Sequence, residues 1–163
     1  MATWQFNFSF VPMNDLSGTI KMDEDGLFDF SSFWLKNQPP ENYRELIAKI
    51  LLHTRSWSQD ILMFGKEDNT CIDVSLENNY VVDISVRIDL RTFNMDLMKK
   101  IVDLAKLFKC SLFLYETNEL IESNSQILFE KIKNSNAAKF VIDPRKFLDE
   151  IDLNKFNDIK KIN

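Results

Sequence analysis

The stretch Thr70-Cys71-Ile72-Asp73-Val74-Ser75-Leu76-Glu77-Asn78-Asn79-Tyr80-Val81-Val82-Asp83-Ile84-Ser85-Val86-Arg87-Ile88-Asp89-Leu90 decides how this chain folds. Apolar and polar residues alternate on both sides of an Asn-Asn pair, the period of two that marks a half-buried strand, so the segment reads as a hairpin. Tyr80, Val82, Ile84, Val86, Ile88 and Leu90 face one way, and Asp83, Ser85, Arg87, Asp89 and Arg91 face the other. Ile72, Val74 and Leu76 oppose Cys71, Asp73 and Ser75 on the first strand. A two-residue loop would set Val74 opposite Asp83, whereas Glu77-Asn78-Asn79 as a three-residue loop pairs Leu76 with Tyr80, Val74 with Val82 and Ile72 with Ile84. It gives Asn79 the left-handed position and puts Asp73 opposite Asp83, a like-charge pair that costs stability unless something offsets it.

Outward from the hairpin, Ile61–Gly65 reads as a preceding strand, so 61–90 forms an antiparallel meander. Asn94 caps a helix over 95–109, with Leu97, Ile101, Leu104 and Phe108 inward and Phe93 and Met98 placed as a hydrophobic staple. Cys110–Tyr115 is an apolar strand, expected to pair with the strand before it through a right-handed helical crossover. Near the start, Trp4, Phe6, Phe8 and Phe10 alternate with Gln5, Asn7 and Ser9 in a strand over 3–11 that Pro12 stops. Short strands are expected at 18–22 and 26–30, irregular chain at 31–39, and a helix at about 40–53. Ser123 with Gln126 reads as a capping box for a helix at 124–134, and Asp143-Pro144 as the start of another. Phe140-Val141-Ile142 reads as a short strand or link, and 153–163 as a fraying helix or tail. The fold class is therefore α+β: a mostly antiparallel sheet, meander plus one helix crossover, with three to four helices chiefly on one face of a single domain spanning 1–152.

Composition narrows the function. The 163 residues carry a net charge of −5, which argues against phosphate backbones and anionic membrane surfaces. No stretch is long and apolar enough for a bilayer, and nothing at the start has the pattern of a secretory or transit segment, so the expected location is cytoplasmic. Two separated cysteines, Cys71 and Cys110, read as buried thiols. The glycines at 18, 26 and 65 build no phosphate loop, and no serine sits in a nucleophile elbow. Around Asp23-Glu24-Asp25-Gly26, a calcium loop would place Lys21 and Ser32 where carboxylates are needed, so the run reads as an acidic turn. The single histidine, His53, is placed as a helix C-terminal cap. No catalytic residue, metal site or cofactor follows from these motifs.

The charged face of the hairpin, Asp73, Asp83, Arg87, Asp89 and Arg91, is the constellation that remains. It reads either as a surface for a partner or ligand or as a solvated face whose charges pair among themselves. Trp34 and Trp57 are candidate binding anchors, although core packing is the more common fate of such aromatics.

Three sets of residues carry a resemblance: Ser56-Trp57 through Phe64-Gly65; Val86-Arg87-Ile88-Asp89-Leu90-Arg91; and Ala137-Ala138-Lys139-Phe140-Val141 with Asp143-Pro144 and Phe147-Leu148. Together they resemble segments of small, acidic bacterial α+β proteins of immunity type, which neutralise a toxin by binding it. The resemblance implies a protein-interaction module acting by occlusion on another protein, and it carries over no catalytic residue; the net charge of −5 would steer a basic partner. The alternative is a small-molecule-binding or hydrolytic domain using the charged face.

Overall fold

A computed structural model of the chain describes residues 2–12, 21–22, 24–146 and 148–149. Seven strands form one antiparallel sheet: β1 (Gln5–Pro12), β4 (His53–Thr54), β5 (Ile61–Gly65), β6 (Cys71–Glu77), β7 (Tyr80–Asp89), β8 (Cys110–Leu114) and β9 (Glu119–Ile121), in the order β4-β5-β6-β7-β1-β8-β9. A separate two-stranded ribbon joins β2 (Lys21–Met22) to β3 (Phe28–Asp29). The α-helices of the described residues are α1 (Ser31–Lys36), α2 (Tyr43–Ala48), α3 (Met95–Leu107), α4 (Ser125–Lys133) and α5 (Asn136–Ile142). This is the expected α+β class.

The meander forms as read, but its hairpin closes differently. Glu77 pairs with Tyr80 around a two-residue Asn78-Asn79 loop, with φ of 51° and 67°. Positive φ at both positions suits the strand twist, and Asn tolerates it. The obstacle to this loop, Val74 opposite Asp83, is removed by a β-bulge: Leu76 pairs with Val81, Ser75 with Asp83 and Val74 with Ile84, leaving Val82 as the extra residue. The bulge turns Val81 inward, 1% exposed, and keeps Ile84, Val86 and Ile88 on the core face. Asp73 is thereby opposite Ser85, so the Asp73–Asp83 pairing expected from alternation does not occur. The Val74–Val82 register is corrected with it.

The crossover is also split. α3 leads from β7 to β8, but β1 lies between those strands and pairs antiparallel with both. The inserted strand is the phenylalanine-rich N-terminal segment, whose Phe6, Phe8 and Phe10 are 3%, 0% and 0% exposed. Phe10 meets Phe108 edge-on at the end of α3, at 6.4 Å between ring centroids. Asn94 caps α3 as expected, its side chain accepting from Leu97 N at 3.0 Å. Burial of such aromatics supplies the largest apolar contribution per residue.

Several local expectations change. Residues 31–36 are helical, because Phe33 and Trp34 find core to bury into. α2 ends at Ala48, so His53 caps no helix; it lies exposed on edge strand β4 against the Phe64 ring. Asn124, not Ser123, caps α4 by accepting from Gln126 N and Ile127 N, while Ser123 Oγ donates to Cys110 O. Phe140-Val141-Ile142 is the end of a helix that Ser135 caps, not a strand. Asp143 accepts from Lys146 N at 3.0 Å, as a cap at that point should. The short strands expected at 18–22 and 26–30 are seen at 21–22 and 28–29. Residues 13–20, and the tail at 153–163, lie outside the described residues.

Candidate functional site

Cross-strand pairing places Asn7, Ser9 and Val11 of β1, Asp83, Ser85 and Arg87 of β7, Cys71, Asp73 and Ser75 of β6, and Ser111 and Phe113 of β8 on one side of the sheet. This is the charged face read from the hairpin, widened by the insertion of β1. At one side Phe28 and Phe30 cover Phe113, at centroid distances of 4.5 and 5.3 Å.

Three clusters divide the face. In the first, Arg87 Nη2 donates to Asp73 Oδ2 at 2.6 Å and Arg87 Nε to Cys71 Sγ at 3.1 Å. The two charged side chains are only 22% and 20% exposed, so this is not an openly solvated pair. Burial raises the Asp73 carboxyl even against the opposing pull of Arg87, and Asp73 Oδ1 is buried without a hydrogen-bond partner. Burial withdraws hydration from Arg87 too, but its neighbours Cys71 and Asp73 leave it raised overall. The Cys71 thiol is pushed up to about 11 by burial, with the Asp73 charge adding, so it is an inert thiol at neutral pH.

The second cluster is a clamp at the end of β7. Arg91 donates to both oxygens of Asp89, at 2.6 Å from Nη2 to Oδ2 and 3.0 Å from Nε to Oδ1. It also donates to Asp68 O at 2.7 Å and lies over the Trp4 ring, 4.3 Å from its centroid. The Asp89 side chain is 1% exposed, and the hydrogen bonds from Arg91 hold its carboxyl below the usual range. Arg91 and Asp89 therefore fasten the 65–70 turn and the N-terminus of β1 to β7. Gly65 permits that turn: its φ is +89°, and a Cβ there would fall 2.4 Å from Thr70 O.

The third cluster surrounds Asp83, whose nearest companions are hydroxyls and other acids. Tyr115 OH and Ser9 Oγ are 2.7 Å apart, and the Ser9 hydroxyl bonds to the Asp83 carboxyl. Asp83 Oδ1 is buried with no hydrogen-bond partner. Burial pushes this carboxyl up to about 7; the bonds from Ser9 and the Ile84 backbone oppose the rise, and the charges of Asp73 and Asp29 add to it. Tyr115 is pushed up to about 12, first by its own burial and then by the Asp83 charge.

Of the residues singled out from sequence, the structure joins Asp73 to Arg87 and Asp89 to Arg91, and sets Asp83 two residues along from Asp73. The tryptophans belong elsewhere. Trp34 is 0% exposed in the core, where its Nε1 donates to Phe10 O, so it is no surface anchor. Trp57 is 79% exposed in the β4–β5 loop. Alternation alone did not reveal Ser9, Cys71, Tyr115 and Trp4 as partners of the charged residues. The signal was present for Ser9, on the polar side of β1, but its neighbour β7 could be named only once the strand order was known. Among the described residues no group of three or more His, Cys, Asp or Glu side chains could hold a metal ion, and no helix is long and apolar enough to cross a membrane. Compared with protein-family models, with characterised proteins and with solved structures, the chain matches none of them.

Proposed function

We propose that this chain is a cytoplasmic protein-interaction module, of immunity or inhibitor type, that occludes its partner through the end of the sheet where Trp57 and Tyr80 project. The observation that carries this reading is the exposure of large apolar side chains there: Trp57 79%, Tyr80 57% and Leu35 55%. Their elements share one end of the sheet. Leu76 N donates to Asp60 O, which ties the Trp57 loop to the β6–β7 hairpin, and Tyr80 pairs with Glu77 in that hairpin. The segment after α1 joins the same end through Gln38, whose side chain donates to Val81 O at 2.9 Å and accepts from Val81 N at 2.8 Å. Exposed aromatics of this kind supply most of the energy at protein interfaces and have no cost to recover from core packing. The exposed charges here are mixed, Asp60 and Glu77 with Arg55 and Lys36, so the preference for a basic partner rests on the net charge of −5 of the whole chain.

Site-specific photo-crosslinking tests the reading. A photoreactive residue at position 57 should capture one protein in cells, and the same residue at exposed position 99 on α3 should not. Trp57→Ala should then weaken that complex by about 2 kcal/mol with the fold intact. Equal labelling from both positions would refute the surface.

A second reading, a small-molecule-binding or hydrolytic domain on the charged face, has one observation in its favour: the near-neutral Asp83 carboxyl beside two hydroxyls. Ser9 is 0% exposed, however, so a substrate cannot reach it as a nucleophile in this conformation.

A further inference from the structure

The sheet contains a gap that is filled by another part of the chain. Pairing of β1 with β7 ends at Ser9–Ser85, whereas β1 continues along β8 as far as Pro12–Cys110. Past Ser9 the two central strands therefore stop bonding to each other. The segment Phe28–Gln38 takes over: Trp34 Nε1 donates to Phe10 O at 3.2 Å on the β1 side, and the Gln38 amide bonds both Val81 N and Val81 O on the β7 side. Phe28 and Phe30 complete the cover by packing on Phe113.

Asp83 lies beside this gap. Its surroundings suit a neutral carboxyl and not a carboxylate. Ser9 bonds to it and to Tyr115 OH, but Oδ1 remains buried and unpaired. The charged groups facing it are Asp73 from β6 and Asp29 from β3, both acidic. Asp29 is held ionised by bonds from Ser31, and it belongs to the covering segment itself. Arg87, on the same strand, is taken by Asp73 and Cys71, and Lys36 of α1 is exposed.

We propose that Phe28–Gln38 is a proton-linked latch on the sheet, closed over the neutral carboxyl of Asp83 and released when that carboxyl ionises. Ionisation places a second negative charge against Asp29 of the latch and demands water for Oδ1, and opening meets both demands. Release frees Phe10 O and both backbone groups of Val81, giving the two central strands open hydrogen-bonding positions between them. The near-neutral titration of Asp83 puts the transition within the physiological range. The latch carries Leu35 and Gln38, which border the interface at Trp57, but its opening does not require that interface to bind a partner.

Hydrogen exchange on the full chain tests the latch. Trp34 Nε1–H and the Val81 amide report opening of the segment, and the Leu112 amide in the sheet interior reports global unfolding. After correction for intrinsic rates, the first two should exchange faster than Leu112. Their opening should rise by up to about tenfold per pH unit between pH 5 and 7 and level off above, because an acid raised in the closed state loses its stabilising proton across that interval. Asp83→Asn should remove the slope. Should that variant not fold, the wild type decides alone: the Asp83 side-chain carbon, followed by NMR, must titrate at the pH where the exchange levels off. Exchange of the reporters only at the Leu112 rate, a flat pH profile, or an Asp83 that titrates below pH 5 would each overturn the proposal.

Discussion

Arg87→Ala should cost far more than the loss of a surface ion pair, and the cost should depend on pH. The guanidinium lies 2.6 Å from Asp73 Oδ2, with both side chains about four-fifths buried. Charge centres about 4 Å apart attract by about 4 kcal/mol at an effective dielectric constant near 20, before the desolvation of both groups is subtracted. Truncation removes that attraction and the bond to Cys71 Sγ. It leaves a carboxylate whose Oδ1 already lacks a partner. Asp73 can escape only by taking up a proton, which limits the cost at low pH. Without Arg87 its folded pKa rises further above the unfolded value. A raised folded pKa favours the folded state in acid, and that advantage is lost as the pH rises. The expected loss is therefore about 2–3 kcal/mol at pH 8 and clearly less at pH 5, read as urea midpoints at constant m-value. Asp73→Asn in the Arg87→Ala background should recover part of it, because the stranded charge is gone. A loss below about 1 kcal/mol, equal at both pH values, would show that the pair is solvated and the burial argument wrong.

Other outcomes follow from single elements. Trp34→Ala should cost about 3–5 kcal/mol by opening a core cavity and freeing Phe10 O, whereas Trp57→Ala should change the urea midpoint by less than about 0.5 kcal/mol. Both loop asparagines have positive φ, so Asn79→Val should destabilise by about 1–2 kcal/mol and Asn79→Gly by much less; equal effects would refute the positive φ at Asn79.

Strand identity was legible in this sequence because alternation is a local signal. Order was not, because it depends on which buried faces meet. Phe6, Phe8 and Phe10 announced a strand with one apolar side, but nothing within residues 3–11 says that β7 and β8 flank it. The crossover through α3 was read correctly as a connection and incorrectly as a pairing, since a strand from the far end of the chain occupies the place between. α1 was missed for a related reason. Phe33 and Trp34 make too short a stripe to show helical periodicity, and the helix forms because the gap between β1 and β7 accepts Trp34.

The hairpin shows how two sound local rules can conflict and which gives way. Asn78-Asn79 favours a two-residue loop, and the alternation of apolar residues forbids the register that such a loop sets. Lengthening the loop would satisfy alternation at the expense of turn geometry. The chain keeps the turn and inserts Val82 as a bulge, which leaves one residue unpaired and preserves the core face on both strands. That choice also decides the chemistry of the charged face. In the unbulged three-residue register Asp73 and Asp83 would oppose each other and compete for the same cation. In the bulged register Asp73 lies closer to Arg87 and takes it, and Asp83 is left among Ser9, Tyr115 and Asp29 with no such partner among the described residues. A bulge that reads as a repair of hairpin geometry is thus what leaves one carboxyl of the face buried, unpaired and able to respond to a proton near neutrality.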